Sequence, residues 1–327
     1  EDPRIIGSVD TPGRALDVAI DGDLAFVADF EWCLQVVDIS QPENPQIIGS
    51  LFTQGEAVDV FIVGDRAYVA DRLLGLQIID ISIPENPQII GNFDTPTYAE
   101  AVAVENDVAY VMDWGAGLLV VDISNPASPQ LIGSADTPGY AEDVAIVGDM
   151  ACVADGFRGF QVIDISNSAS PHIVGSLDTP GFALSVAAEG NIVCVADQLS
   201  GLQVIDISNP ASPTFVGSVD TQGSARCAAV SGNFAFVADW RSGLSVFPAN
   251  CPSPNLSYTP ARIPGFALHT ATPNPFNPST AVSFELPAAG PVQLKVFDIS
   301  GRLVRTLIAG DFRDAGIHHC TWKGRDD

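Results

Sequence analysis

The apolar positions of this chain fall in short runs separated by Gly, Asp, Ser and Pro. Residues 140–181 are typical, with runs at 144–147, 150–154, 160–165 and 172–175. The β-branched content and the lack of a 3.6-residue period favour strands over helices. Gly148-Asp149, between the first two runs, is a hairpin signal. The segment therefore predicts four antiparallel strands, which we name A, B, C and D in chain order.

This four-strand unit recurs at a constant interval of 42 residues. A Pro-x-x-Ile/Val-Gly segment closes each strand D, at Gly7, Gly49, Gly91, Gly133, Gly175 and Gly217. A Val-Ala-Asp or Val-Met-Asp triplet closes each strand B, at Asp29, Asp71, Asp113, Asp155, Asp197 and Asp239. Four-stranded units of about 40–45 residues are typical of β-propeller blades.

The ends of the repeat region set the number of blades. Residues 3–13 supply only a strand D, and residues 224–248 supply only A, B and C. Five complete units lie between them: 14–55, 56–97, 98–139, 140–181 and 182–223. The sequence therefore predicts an all-β fold, with a six-bladed propeller over residues 1–248 whose last blade is closed by the N-terminal strand.

The repeat resembles the LVIVD-repeat family. The resemblance rests on the pattern D-V-x-I-x-G-D-x-A-x-V-A-D, then G-L-Q-V-I-D-I-S, then P-x-x-I-G, over residues 3–248. It implies an exported or surface-attached bacterial or archaeal propeller, in a family mostly without assigned activity.

The remaining residues differ in composition from the repeats. Residues 249–265 are rich in Pro, Ser and Asn and predict a linker, and 266–327 predict a small β domain. The segments N-P-F-N-P-S-T, F-D-I-S-G-R-L-V-R-T-L and A-G-I-H-H-C-T-W-K-G-R-D-D resemble the immunoglobulin-like fold of the flagellar hook-capping protein. In secreted bacterial proteins that fold forms a C-terminal tail, including in cargo of the type IX secretion route. The family normally continues for another strand or two, so we expect an incomplete sandwich.

Charge and composition narrow the class of partner. The formal net charge is −26, which disfavours nucleic acid and anionic lipid surfaces. No apolar run reaches the roughly 18–20 residues of a membrane span. The six cysteines lack Cys-x-x-Cys spacing, and the sequence leaves open whether Cys251 and Cys320 form a disulfide. The two family resemblances imply an extracellular or cell-surface protein.

Two sets of aspartates are candidate metal ligands. We expect each strand B aspartate to accept backbone N–H groups of its own B–C turn, because strand B lies too far from the axis for six carboxylates to converge. The aspartates that end strand C are expected to do the same. Asp17, Asp59 and Asp143 lie near the start of the innermost strand, where they are candidate Ca²⁺ ligands. Only three blades contribute, so the preferred interpretation is that the protein has no cofactor.

The residues that vary from blade to blade predict a binding face. The D–A and B–C connections share one face of a propeller, and here they carry aromatic and arginine side chains, which is typical of recognition surfaces. The candidate residues are Arg14, Phe30, Trp32, Arg72, Tyr98, Trp114, Tyr140, Phe157, Arg158, Phe182, Trp240 and Arg241. An equally weighted alternative is that the arginines pair with the aspartate ring and the aromatics cover the core between blades.

These patterns favour a non-catalytic module that binds a protein or a glycan. The chain has no G-x-S-x-G, phosphate loop or H-E-x-x-H motif, and His172 is the only histidine of the repeats. One alternative is a structural subunit that self-associates into an extracellular fibre or tube through its C-terminal β domain. A second is a hydrolase that uses Asp17 or Asp59 with nearby arginines.

Overall fold

The computed structural model describes residues 4–232, 234–248, 267–268, 280–286, 290–297, 303–314 and 316–322. The chain divides into two compact units, Glu1–Cys251 and Pro252–Asp327. The predicted linker at 249–265 lies outside the described residues. Within the described ranges, no helix has the length and hydropathy needed to cross a bilayer.

The first unit consists of antiparallel sheets in which sequence neighbours pair. Blade 1 contains β1 (Asp17–Asp21), β2 (Leu24–Ala28), β3 (Leu34–Asp38) and β4 (Gln46–Leu51), and blade 2 contains β5 (Ala57–Val63), β6 (Arg66–Asp71), β7 (Gly75–Asp80) and β8 (Gln88–Phe93). Blade 3 contains β9 (Ala99–Glu105), β10 (Val108–Asp113), β11 (Gly117–Asp122) and β12 (Gln130–Ala135), and blade 4 contains β13 (Asp143–Val147), β14 (Met150–Ala154), β15 (Phe160–Asp164) and β16 (His172–Leu177). Blade 5 contains β17 (Ser185–Glu189), β18 (Ile192–Ala196), β19 (Leu202–Asp206) and β20 (Thr214–Val219), and blade 6 contains β21 (Cys227–Ser231), β22 (Phe234–Ala238), the 3₁₀ turn Trp240–Ser242 and β23 (Leu244–Pro248). The predicted all-β fold with six blades is confirmed.

The turn between strands A and B shows why the repeat conserves a small residue there. Gly22 and Gly148 have φ values of 58° and 55°, in the left-handed region that a two-residue hairpin requires. Asn106 takes the same place in blade 3 with φ 55°. Asparagine tolerates this conformation better than other side chains with a Cβ, so the hairpin survives the loss of glycine.

The core of the propeller lies between the blades. Each sheet buries one face against the next sheet, and the buried clusters join blades 1 and 2, 2 and 3, 3 and 4, 4 and 5, and 5 and 6. Ile78, Met112 and Phe160 are fully buried in these layers. Burial of such a side chain contributes about 1.5–3 kcal/mol, which explains why the strands read as nearly continuous apolar runs.

The glycine of strand D allows the blades to approach closely. A Cβ atom built on Gly91 would overlap the backbone carbonyl oxygen of Pro126, in the C–D connection of the next blade. Gly49 has the same relation to Pro84. Gly217 is different, because a Cβ built there meets no atom of the described residues within 4 Å. Blade 5 is followed by a blade whose described strands end at β23, before any C–D connection.

The closure of the ring differs from the prediction in one detail. Residues 4–13 form no strand, and blade 6 is a three-stranded sheet, β21-β22-β23. The N-terminal segment still contacts blade 1 as a D–A connection does: Thr11 and Gly13 donate to Asp29, and Gly7 lies against Pro42. These contacts hold the segment without a ladder to β23, so its docking onto blade 1 does not depend on pairing with blade 6.

The second unit is also made of strands. It contains β24 (Ala267–Leu268), β25 (Thr280–Leu286), β26 (Gly290–Phe297), β27 (Leu303–Arg313) and β28 (Gly316–Trp322). They form a three-stranded sheet, β24-β25-β28, and a two-stranded sheet, β26-β27. The described part of residues 266–327 therefore consists of strands, as predicted for a small β domain.

Candidate functional site

The strand B aspartates fasten the connection that precedes each blade. All six are fully buried. Asp71 accepts a 2.6 Å hydrogen bond from the Thr53 hydroxyl and another from the Glu56 backbone N–H. Asp197 accepts from Thr179 at 2.7 Å and from the Gly181 N–H at 2.8 Å.

The prediction that these carboxylates serve their own B–C turn was therefore mostly wrong. Only Asp113 also accepts N–H groups of that turn, from Gly115 and Ala116, in the part of the chain that the structure describes. The neglected signal was the Thr-x-Gly sequence of the D–A connection, which keeps a fixed spacing from the following aspartate, as in Thr11-Pro12-Gly13 before Asp29.

The aspartates that end strand C behave as predicted. Each accepts the backbone N–H of the serine two residues later, for example Ser40 to Asp38 at 2.8 Å and Ser82 to Asp80 at 2.9 Å. These hydrogen bonds lower the pKa of both carboxyl groups below their ordinary value. They lie at the start of the C–D connection.

Asp17, Asp59 and Asp143 tie one blade to the next. Their carboxylates accept the backbone N–H of Val60, Val102 and Val186, at 3.1, 2.7 and 2.9 Å, and each partner lies one strand A further along the ring. Within the described ranges, no group of three or more His, Cys, Asp or Glu side chains is arranged to hold a metal ion. One carboxylate oxygen of each residue therefore serves a contact between blades, and a role in Ca²⁺ binding stays a prediction from the sequence.

Two successive positions of strand A, one from every blade, line a cavity of about 440 Å³ at the axis. The first position is Leu16, Val58, Glu100, Glu142, Leu184 and Arg226, and the second is Asp17, Asp59, Ala101, Asp143, Ser185 and Cys227. Arg72, Asp239 and Trp240 from the B–C connections also contribute to its wall. Glu100 and Glu142 were not among the predicted site residues, although their 42-residue separation was visible in the sequence.

Few positively charged groups lie close to the carboxylates of this cavity. The Arg72 guanidinium bonds Glu100 through Nε at 2.9 Å and Nη2 at 2.8 Å, and lies 3.8 Å from Glu56. Burial, reinforced by Glu100, raises the pKa of Glu142 to about 7 despite a hydrogen bond from the Trp114 side chain. Burial raises the pKa of Asp143 to about 6. Burial and the neighbouring Asp17 and Asp143 carboxylates raise the pKa of Asp59 well above its ordinary value.

These pKa shifts predict that the protein loses stability as pH rises. For Glu142 the folded state holds its proton more tightly than the unfolded state, so the favourable contribution is complete below the ordinary pKa of 4.5 and is lost as pH rises through about 7. We expect the free energy of unfolding to fall by about 2 kcal/mol between about pH 5 and pH 8. Urea unfolding across this range measures the slope.

The variant Glu142→Gln isolates the effect, because it removes the titrating group and keeps the side-chain shape. We expect a flatter dependence on pH for this variant and an unchanged one for Glu189→Gln, which is exposed at the far end of β17. Equal slopes for both variants and the parent protein would contradict this origin of the pH dependence.

Aromatic side chains surround the cavity mouth. Trp114 stacks on Tyr140, with ring centroids 4.0 Å apart and planes within 2°, and meets Tyr98 at 6.4 Å. The Arg226 guanidinium lies 4.4 Å from the Trp240 ring centroid. Tyr98, Tyr140 and Trp240 are 45, 38 and 60% exposed, so these rings are available to a ligand.

The other predicted face residues divide into exposed and buried groups. Phe157 is exposed and packs edge-on against Phe182 at 4.6 Å, and Arg158 is exposed beside it. Trp32 is half exposed and contacts Phe52. The side chain of Arg241 lies outside the described residues.

Phe30 is the exception among the predicted face residues. It is buried, with the Arg14 guanidinium 4.0 Å from its ring centroid, so its assignment to the accessible face was wrong. Its backbone pairs with Ala57 of the next blade, which draws the ring into the interface. The ion pairs of Arg14 and Arg72 are with Glu31, Glu56 and Glu100 rather than with strand B aspartates.

The six structural repeats coincide with six matches to one family. The LVIVD repeat model matches residues 12–53, 54–95, 96–137, 138–179, 180–221 and 222–247. The chain belongs to the LVIVD repeat family. Each of the first five LVIVD repeats spans strands A to D of one blade. The sixth spans strands A to C of blade 6 and ends one residue before β23 ends. No curated protein matches the chain in sequence.

Solved structures share the architecture of the LVIVD repeats at low identity. The computationally designed Ika8 protein is 14% identical with a TM-score of 0.59, covering 96% of this chain and 97% of Ika8. U3-55K is 14% identical with a TM-score of 0.61, covering 76% of this chain and 84% of its own. The Cps50 (Swd1) β-propeller domain of Myceliophteria thermophila is 12% identical with a TM-score of 0.63, covering 75% and 85%. Such similarity shows the fold alone.

Proposed function

We propose that this LVIVD repeat protein is a non-catalytic interaction module that binds a protein or glycan at the cavity mouth. The observation that carries the proposal is a group of aromatic side chains beside the axial cavity, where Trp240 is part of the wall and Trp114 stacks on Tyr140. Tyr98, Trp114 and Tyr140 are held by one another on short connections, and the connections are held by buried aspartates. A rigid aromatic surface binds with a small loss of conformational entropy.

The absence of a catalytic role is part of this proposal. Asp17 and Asp59 are the candidate catalytic residues of the hydrolase alternative. Each accepts a hydrogen bond from a backbone N–H of the next blade. Arg72, the arginine of the cavity wall nearest the carboxylates, is engaged by Glu100. These contacts support a structural role for the groups that a hydrolase would need free. The hydrolase and assembly alternatives stay predictions from the sequence.

We further propose that the protein acts outside the cell or on its surface, with an immunoglobulin-like C-terminal domain of the type IX sorting kind. The support is the resemblance of the C-terminal motifs, together with the strands β25 to β28 that occupy that region. Detection of the native protein on intact cells or in the culture medium tests the proposal, and its recovery only from the cytosol would contradict it.

Loss of the exposed aromatic side chains Tyr98, Tyr140 and Trp240, which we call the aromatic rim, is expected to weaken binding strongly. A random peptide display library and a glycan array are screened with the parent protein to provide ligands. Replacement of Tyr98, Tyr140 and Trp240 by Ala should then weaken each selected ligand by at least about thirtyfold, because central aromatic residues carry most of the binding energy in such interfaces. The thermal transition should change little, since these rings are exposed.

The matched control replaces Ile83, Leu131 and Phe215 by Ala. These side chains are 59, 50 and 46% exposed and lie on C–D connections or D strands, away from the cavity mouth. Binding by this control should equal that of the parent. If neither screen yields a ligand, or if the rim variant binds as tightly as the parent, the proposed function is wrong.

A further inference from the structure

The axial cavity has more negative than positive groups in its wall. Six carboxyl groups line it, Asp17, Asp59, Glu100, Glu142, Asp143 and Asp239, against the two guanidinium groups of Arg72 and Arg226. Arg72 is committed to Glu100, and Arg226 lies over Trp240. Among the described residues, Glu142 has no ion pair. The cavity therefore has carboxylate capacity that the protein's own cations do not fill.

A second observation is independent of this charge excess. Asp239 is fully buried, and its Oδ2 has no hydrogen-bond partner in the described structure. In blades 1 and 5 the equivalent oxygen of Asp29 and Asp197 accepts a glycine N–H. A buried carboxylate oxygen without a donor costs free energy, and Asp239 is part of the cavity wall.

The wall also has apolar side chains. Leu16, Val58, Ala101 and Leu184 occupy positions of the two lining sets that carry no charged group. A small inorganic cation gains no favourable contact with apolar side chains. Within the described ranges, the carboxylates are also not arranged to hold a metal ion. A cation on an alkyl chain can contact both the apolar and the acidic side chains of the wall. Its methylene groups pack against the apolar side chains, and its charged end donates hydrogen bonds to the carboxylates. Trp240 and Trp114 at the mouth add favourable cation–π faces.

We propose that the axial cavity binds an alkyl ammonium or guanidinium group, presented as a lysine or arginine side chain of a partner protein. This inference rests on the proposed function and specifies its ligand. The guanidinium of Arg72, which contacts Oε2 of Glu100 through both Nε and Nη2, shows that a glutamate of this cavity accepts such a group. Ionic pairing favours the deprotonated carboxyl, so binding releases protons and strengthens as pH rises.

Isothermal titration calorimetry of the full chain tests the inference with defined probes. These are three acetylated, amidated tripeptides of the form Gly-x-Gly, with Lys, Arg or norleucine at the centre, and spermidine and CaCl₂. We expect the Lys or Arg peptide to bind at least about tenfold more tightly than the norleucine peptide, which has the stem without the charge. The Glu142→Gln variant should lose about tenfold in affinity and Glu189→Gln less than about twofold.

Proton release provides a second readout. Titrations in two buffers of different ionisation enthalpy, at about pH 6.5, should show release of protons by the parent and less release by Glu142→Gln. Tighter binding of spermidine than of the peptides supports the cavity chemistry and assigns its source to a free polyamine. The inference is overturned if charged and norleucine peptides bind alike, if both glutamate variants bind like the parent, or if Ca²⁺ binds and displaces the peptides.

The two proposals fail in different ways. If the screens select uncharged ligands that the rim variant does not bind, the interaction module stands and the cation cavity is wrong. If the charged peptides bind through Glu142 but the screens yield nothing that depends on the rim, the cavity stands and the wider binding face is wrong.

Discussion

Replacement of Gly91 by Ala is expected to be the most destabilising single-methyl change in the propeller. Gly91 lies in β8, and a Cβ there would overlap the Pro126 carbonyl of the next blade. The obstacle is backbone rather than a flexible side chain, so the two blades must separate. We expect a loss of about 4 kcal/mol in the free energy of unfolding, at the upper end of what single substitutions cost. Urea unfolding measures it.

Gly217→Ala is the matched control, because Gly217 occupies the same position of the repeat in β20. In the part of the chain that the structure describes, a Cβ built on Gly217 meets nothing within 4 Å. The substitution should be neutral or slightly stabilising, since alanine restricts the unfolded chain more than glycine does, by about 0.4–1 kcal/mol. Similar losses at Gly91 and Gly217 would show that the strand conformation, and not the approach of the blades, requires glycine.

The second large effect is expected from Asp71→Ala. This substitution leaves the Thr53 hydroxyl and the Glu56 N–H without their acceptor in a buried position. Hydrogen bonds to a charged group contribute about 1.5–3 kcal/mol each, but removal of the carboxylate also removes the cost of burying it, so we expect a net loss of about 3 kcal/mol. Burial already raises the pKa of Asp71, which shows that the desolvation cost is real.

Asp80→Ala controls for the loss of an acidic residue from the same blade. Asp80 ends β7 and accepts the Ser82 N–H in an exposed turn, where water replaces the lost acceptor. Its effect should be far smaller. If Asp71→Ala were no more destabilising than Asp80→Ala, the fastening of the D–A connection by the strand B aspartates would be disproved. Because that connection carries Glu56, Asp71→Ala should also disturb the cavity mouth.

The two substitutions share a physical basis in the repeat. Each residue makes a contact with a connection that is distant from it in sequence. Gly91 lies against a C–D connection, and Asp71 accepts a hydrogen bond from a D–A connection. Such contacts recur around the ring, so their disruption at one place is expected to open one blade interface. Limited proteolysis of either variant should then cut near the altered blade.

The local structure of this protein follows from its sequence alone. Runs such as Met150–Ala154 become strands with the predicted bounds, and the turn at Gly148 has the backbone conformation that the hairpin signal required. A period of 42 residues also determined the number of blades, because each repeat closes its own hydrogen-bond ladders over short sequence distances. The exposed Asp38 and Asp80 turns were predictable for the same reason, since both partners lie within two residues.

Contacts between residues of different blades could not be predicted from the sequence, because they depend on how the sheets pack. The sequence placed Asp17, Asp59 and Asp143 on the inner strand, but their use as ties to the next blade depends on the distance between sheets. The position of Phe30 also depends on this packing. Its place in a B–C connection predicted an accessible ring, but the ring is buried between blades. The joining of Glu100 and Glu142 in one axial cavity, and the docking of residues 4–13 without a ladder to β23, likewise required the assembled blades. Periodicity fixes which position each residue occupies within its own sheet, whereas packing between sheets fixes what that position touches.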